Sequence, residues 1–306
     1  MSSAGEPHSG ARSGGAARIH DLGYRPYEGE RAGVAWAMTS LGAHAVRRVL
    51  GLKRAARHKV LPALTLLIAF VPAIVFVGMA AFIPDTVVRE NLLPSYGDYY
   101  GFTITAIFLF ASFVAPEAIC TDRRTGMLAL YLASPLDRTT YVVSKIGAVA
   151  TVLATITLLP LAFLLIAYTI AGAGPEGLSG FLETLLRIVV AGLLVAVYFA
   201  ALTSAVSSFT SRRGIASAAV VLSLLVPTIV VSAIVESTDA PDEWGLLDLS
   251  GLPIRTAQWL LADEPTDPFR GIERVGGATA TAATLAATCL FAAIVWWRYQ
   301  RLEVER

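Results

Sequence analysis

Six long apolar runs, separated by polar connections, dominate the chain from residue 60 onward. They cover approximately Leu61–Ile83, Gly101–Ile119, Gly147–Ile170, Ile188–Phe209, Gly214–Val235 and Gly277–Trp297. Each is close to the ~20 residues a helix needs to cross hydrocarbon. The core of each run is essentially free of charge, as expected where a central Arg or Asp costs on the order of 3 kcal/mol. The pattern predicts an all-α polytopic membrane protein with six transmembrane helices within residues 60–306.

Upstream the periodicity changes. Residues 1–19 are rich in Gly, Ser and Ala and nearly lack large apolar groups, which predicts a disordered tail. The first long apolar run starts near residue 60, with no small-residue cleavage site after a short core, so no signal peptide is expected. Residues 20–59 form a separate region before the spans. Within it Val34, Trp36, Ala37, Leu41, Ala45, Val49 and Leu50 recur at roughly helical spacing. Arg47, Arg48, Lys53, Arg54, Arg57 and Lys59 lie among them. An amphipathic basic helix of this kind lies in the plane of an anionic membrane surface. The alternative is a solvated helix with a small core face.

The placement of Lys and Arg orients the spans. Nineteen of the 24 fall before span one, between spans two and three, between four and five, and after six. That asymmetry predicts that both termini are cytoplasmic. On the other side, residues 84–100 and 171–183 are short connections, whereas 236–276 is long and acidic. Its Trp244, Leu246, Leu247, Leu249, Leu252, Ile254 and Trp259 are too apolar for a free loop. They predict one or two short helices at the outer membrane surface.

Composition agrees with the pattern: 55% of the chain is hydrophobic and 15% charged, against about 25% charged in soluble domains. The net charge of +1 gives no sign of a nucleic-acid partner, and none is expected. Cys120 and Cys289 have no disulfide or metal spacing and read as small buried residues. Among the four His, no pair has ligand geometry. The chain contains no G-x-x-x-x-G-K-[ST], no H-E-x-x-H and no G-x-S-x-G. No catalytic, cofactor-binding or metal-binding residue is therefore nominated. Intramembrane carboxylates are nearly absent, which argues against a proton-driven carrier. Energy for uphill movement must come from another chain. Ala278, Ala282, Ala286, Cys289 and Ala293 form a strip of small residues along span six, which predicts close helix packing within the chain or between two copies.

One polar stretch stands apart. Residues 116–145 read PEAICTDRRTGMLALYLASPLDRTTYVVSK, between spans two and three. Asp122, Arg123 and Arg124 lead to Gly126, a short apolar run comes next, and Ser134-Pro135 ends it before Arg138 and Lys145. This predicts a short helical hairpin on the cytoplasmic face, placed to meet a partner.

With these residues the chain resembles the permease subunits of ABC transporters, in the type-2 exporter class, over roughly residues 20–306. That family tends to show an acidic–basic lead, a Gly-Thr-Leu-Glu-like helix, Ser-Pro, then a basic residue. Here the stretch reads Asp122-Arg123-Arg124, Gly126-Met127-Leu128-Ala129, Ser134-Pro135, Arg138 and Lys145. Met127 stands where Thr is usual and Ala129 where Glu is usual. Gly23-Tyr24-Arg25-Pro26-Tyr27-Glu28-Gly29 is similar to bacterial members.

The resemblance implies an amphipathic elbow helix before span one and a coupling helix between spans two and three. It implies a soluble ABC ATPase subunit that binds the ATP and Mg, a second permease copy or related permease, and a bacterial plasma membrane. It makes Asp122, Arg123, Arg124, Leu128, Leu130, Tyr131 and Leu132 the expected contact with the ATPase. Glu117 marks the inner end of span two. The alternative for the hairpin is packing on the chain's own elbow helix. The alternative for the whole chain is a membrane scaffold or assembly factor that works with an ATPase.

Overall fold

The computed structural model describes residues 29, 33–52, 55–83, 93–237, 241–262, 272 and 274–302. The chain divides into two units, Met1–Ala32 and Gly33–Arg306. Of the first, only the exposed Gly29 is described. The expected tail and the Gly23–Glu28 motif therefore lie outside the described residues. Every helix among the described residues belongs to the second unit.

Among the described residues all regular structure is helical. Six helices are long and apolar enough to cross a membrane: His58–Phe82, Tyr99–Arg124, Arg138–Ile170, Gly177–Ser207, Arg213–Val235 and Gly277–Gln300. In chain order the elements are α1 (Val34–Val49), α2 (Arg57–Phe82), α3 (Tyr99–Leu109), a π-helical turn (Phe110–Val114), α4 (Glu117–Arg124) and α5 (Met127–Leu132). They continue with α6 (Arg138–Ile170), α7 (Gly177–Ser207), α8 (Arg213–Ser237), a 3-10 turn (Asp242–Leu247), α9 (Gly251–Leu260) and α10 (Gly277–Gln300). The third and fourth spans start well before the expected Gly147 and Ile188. Charged Arg138, Lys145, Glu183 and Arg187 end the apolar run but do not interrupt the helix. Glu183 and Arg187 pair at 2.6 Å, one turn apart on the outside of α7.

Helices α6 and α7 form the centre of the bundle. They approach closely at Gly192, whose backbone carbonyl accepts from the Thr157 hydroxyl at 3.0 Å. A Cβ on Gly192 would come within 2.3 Å of Leu158 Cδ2, so the absent side chain sets the spacing. The span that contains α3 and α4 is the most deeply packed of the six, and the spans of α2, α8 and α10 are the most peripheral. Tyr99 donates its hydroxyl to the Ala69 carbonyl of α2, a polar tie inside an otherwise apolar contact.

Two expectations are corrected by this packing. The short helices expected within 236–276 are present as the 3-10 turn and α9, but α9 is not exposed: Gly251 through Gln258 are all buried. It is wedged among the spans at the end of the bundle opposite α5. Tyr198 of α7 donates to the Leu249 carbonyl at 2.8 Å, Ser250 donates to Leu224 of α8 at 2.9 Å, and Thr256 meets Thr284 of α10 at 2.9 Å. Its polar groups find partners in helix walls, which removes the penalty that would keep it at the surface. Cys289, expected to be buried, is exposed, and so are Ala278, Ala282, Ala286 and Ala293. The small-residue strip of α10 faces away from its own chain, while Ala280, Thr284 and Val295 face inward.

Candidate functional site

At the end of the bundle where α4 meets α5, five spans and α1 converge on one polar cluster. Local sequence builds the turn. Gly126 takes a left-handed conformation with φ of +66°, which costs Gly little and other residues more, and it lets α5 leave α4 sharply. Asp137 then caps α6. Its carboxylate accepts from the Thr140 amide at 2.6 Å, and the Thr140 hydroxyl accepts from the Asp137 amide at 2.9 Å. This reciprocal cap satisfies two otherwise orphan donors. It also holds the Asp137 carboxyl below its ordinary value.

Asp122 is the hub. It is fully buried. Arg48 of α1 donates to one carboxylate oxygen. The other oxygen lies 2.5 Å from Lys145 Nζ and accepts from the Tyr141 hydroxyl at 3.0 Å. Lys145 is itself buried, with its ammonium 5.5 Å and 5.6 Å from the ring centres of Tyr131 and Tyr141. Charges taken this far from water need good pairing and further hydrogen bonds to be tolerated, and the aromatic faces add cation–π attraction. Burial works against the Arg48 charge, but Asp122 outweighs it and raises the guanidinium above its ordinary value. Burial also pushes the Tyr131 hydroxyl up, with Asp122 adding to the effect.

The surrounding residues tie the cluster to the remaining spans. Arg123 donates to the Ser208 carbonyl at the end of α7. Glu117 pairs with Arg213 at the start of α8, 2.8 Å away, and Arg213 also donates to the Phe113 carbonyl at 2.6 Å. That carbonyl belongs to the π-helical turn, and nearby Pro116 has no amide to donate. Arg213 thus supplies a donor where the helix of span two is broken. Arg138 donates to the Tyr299 carbonyl at 3.3 Å and to Gln300, both at the end of α10.

The expected contact residues separate into two groups. Asp122, one of the expected ATPase contacts, is turned inward and pairs with Arg48 and Lys145 of its own chain. Leu128 and Tyr131 pack against a cluster that includes Leu41 of α1, Tyr141 and Tyr299. Packing on the chain's own α1 therefore accounts for one face of the hairpin. Arg124, Ala129, Leu130, Ala133, Ser134 and Pro135 are exposed on the other, with Leu130 at 63%. Arg123 and Leu132 are half-buried. Sequence alone does not single out Arg48, Tyr141 and Arg213 as site residues. A legible clue is Lys145, a cation only seven residues into the long helix α6, where burial demands an acid within reach.

A family model described as ABC-2 family transporter protein matches residues 63–295. The chain belongs to the ABC-2 family of transporters. This ABC-2 protein is a multi-pass membrane protein, and the match runs from α2 into α10 and includes the whole of the α4–α5 turn. A comparison with curated proteins finds no match. The family supports the reading of the chain as the membrane-spanning subunit of an ABC transporter.

Proposed function

We propose that this ABC-2 permease subunit exports its cargo across a bacterial plasma membrane, driven by a separate soluble ATPase that docks on the exposed face of α5. In this reading both termini are cytoplasmic, and a second permease copy completes the pathway. The observation that carries the reading is the double character of the α4–α5 turn. One face is exposed and includes Leu130 and Arg124. The other is bonded to α1 and to the ends of spans three, four and five, and Arg138 at the start of span three carries the connection on to the end of span six. A push on the exposed face therefore reaches every one of these elements through charge-assisted contacts, which are the stronger class of hydrogen bond.

In the same reading the two faces have different roles. Arg124 and Leu130 belong to docking, with Leu132 at the edge, whereas Asp122 and Arg123 transmit motion within the chain. The test is affinity capture of the tagged chain in mild detergent from its host. The expected result is a stoichiometric soluble protein with a Gly-Lys-Ser/Thr phosphate loop. Leu130→Asp with Arg124→Glu should abolish its recovery while the permease stays monodisperse. Equal recovery with that double variant overturns the docking face. Repeated capture without any such protein overturns the ATP-driven reading.

A further inference from the structure

Beside the Asp122 cluster, a cavity of about 370 Å³ opens between α1 and the segment that comes after α5. Trp36, Ala37, Leu41 and Leu136 are its apolar lining and Ser40, His44, Arg47 and Ser134 its polar lining, with Trp36 toward one end of α1 and His44 and Arg47 toward the other. Tyr131 joins the cavity to the buried ions.

The charges around it do not balance. The neighbouring cluster sets two cations, Arg48 and Lys145, against the single carboxylate of Asp122. Arg47 adds a third cation on the cavity wall, and α1 contributes no acidic residue. The imidazole of His44 registers this field. Burial holds it below its ordinary value, and Arg48, Lys145 and Arg47 reinforce that, with Asp122 alone opposing. An excess of positive charge at the edge of a low-dielectric region calls for an anion. The apolar lining continues outward through Trp36 and Val34, which are 64% and 45% exposed on the same helix.

We propose that this cavity binds the headgroup of an anionic glycerophospholipid, its phosphate facing Arg47 and His44 and the start of an acyl chain lying along Trp36. An occupant with one anionic end and one apolar end matches the change from Arg47 and His44 to Trp36 along α1. A bare carboxylate from a docking protein would use only the polar end. The site lies on α1, just before the first span, where a helix in the plane of the membrane surface would meet lipid headgroups. A basic helix there is attracted to an anionic leaflet. The inference needs the membrane placement of α1 but not the ATPase, so it can fail while the docking reading stands.

The experiment uses the full chain alone, in lipid nanodiscs that contain a trace of diazirine-tagged phosphatidylglycerol or, separately, diazirine-tagged phosphatidylcholine. Cross-linked peptides are mapped by mass spectrometry. Labelling at residues 36–47 and 131–136 should favour the anionic probe. Arg47→Gln should lower it about fivefold, the equivalent of the ~1 kcal/mol that one basic residue contributes at an anionic surface. Ser40→Trp, which fills the cavity without changing charge, should lower it as well. Equal labelling by both probes, or unchanged labelling in both variants, overturns the proposal. So does loss of the label when a captured ATPase is added and cross-links in its place.

Discussion

Replacing Asp122 by Asn tests the buried hub directly. The side chain keeps its shape and loses its charge. Asp122 and Lys145 are almost completely shielded from water, and the Arg48 side chain is 16% exposed. After the substitution both cations remain inside with no carboxylate between them. Removing one partner of a buried pair in this way costs about 3–5 kcal/mol. In a chain of this size each kcal/mol lowers the thermal midpoint by about 2 °C. Asp122→Asn should therefore unfold about 6–10 °C below the parent, measured by intrinsic fluorescence of the full chain in detergent. Adding Lys145→Met removes the stranded ammonium and fills its place with an unbranched apolar side chain. Apolar replacement of a buried ion pair is commonly close to neutral, so the double variant should recover more than half of the loss. A midpoint within about 2 °C of the parent for Asp122→Asn, at the resolution implied by the same scaling, would refute the hub. Lack of any recovery in the double variant would refute the assignment of Lys145 as its partner.

The same geometry sets other outcomes. Gly51→Ala should destabilise by about 1–3 kcal/mol, because Gly51 has φ of +67° and an added Cβ would stand 2.4 Å from the His58 carbonyl oxygen, a backbone atom; thermal unfolding reads it. Gly192→Val should cost a similar 1–3 kcal/mol by overpacking, roughly the usual range, and should separate α6 from α7, seen as a lower midpoint that Leu158→Ala partly restores. Arg213→Ala should leave the chain folded and capture of the ATPase intact but abolish cargo movement in reconstituted vesicles, since it removes both the Glu117 pair and the Phe113 bond. His44 titrates lower in the folded chain than its ordinary 6.5, so between those values the unfolded chain holds more protons. Its contribution to stability is therefore lost as pH falls through that window. His44→Gln should flatten this part of the stability profile, below the ordinary imidazole value.

Much of the architecture could be read from spacing. Uncharged runs of about 20 residues located the spans, because a membrane core excludes charge whatever the tertiary packing. The α4–α5 turn was legible through Gly126, Ser134-Pro135 and the charges around them. Burial within the membrane was not legible, since lipid-facing and core-facing positions are equally apolar. Ala282 and Ala280 are indistinguishable in sequence, yet the first is exposed and the second buried. The placement of α9 was hidden for a related reason. Polar residues such as Asp248, Ser250 and Thr256 suggest a surface, but here they bond to α8, to α10 and to their own segment. Asp122 was legible as important but not as buried, because its partners Arg48 and Lys145 lie 74 and 23 positions away and only the fold brings them together.

The broken helix of span two has a mechanical consequence. The π-helical turn and Pro116 perturb the ladder of backbone bonds at one level, the kind of place where helices bend, so a bend there would tilt α4 as a short rigid arm. Eight residues at ~1.5 Å each give an arm of roughly 12 Å. A tilt of about 10° about the joint would sweep its far end by roughly 2 Å, on the scale of a helix shift at a subunit interface. Asp122 sits near that far end and Glu117 close to the joint. The same small rotation would displace Arg48 and Lys145 appreciably while scarcely moving Arg213. Span two would then act as a crank with its fulcrum inside the membrane, giving a large stroke at the α1 and α6 contacts and a small, forceful one at the base of α8.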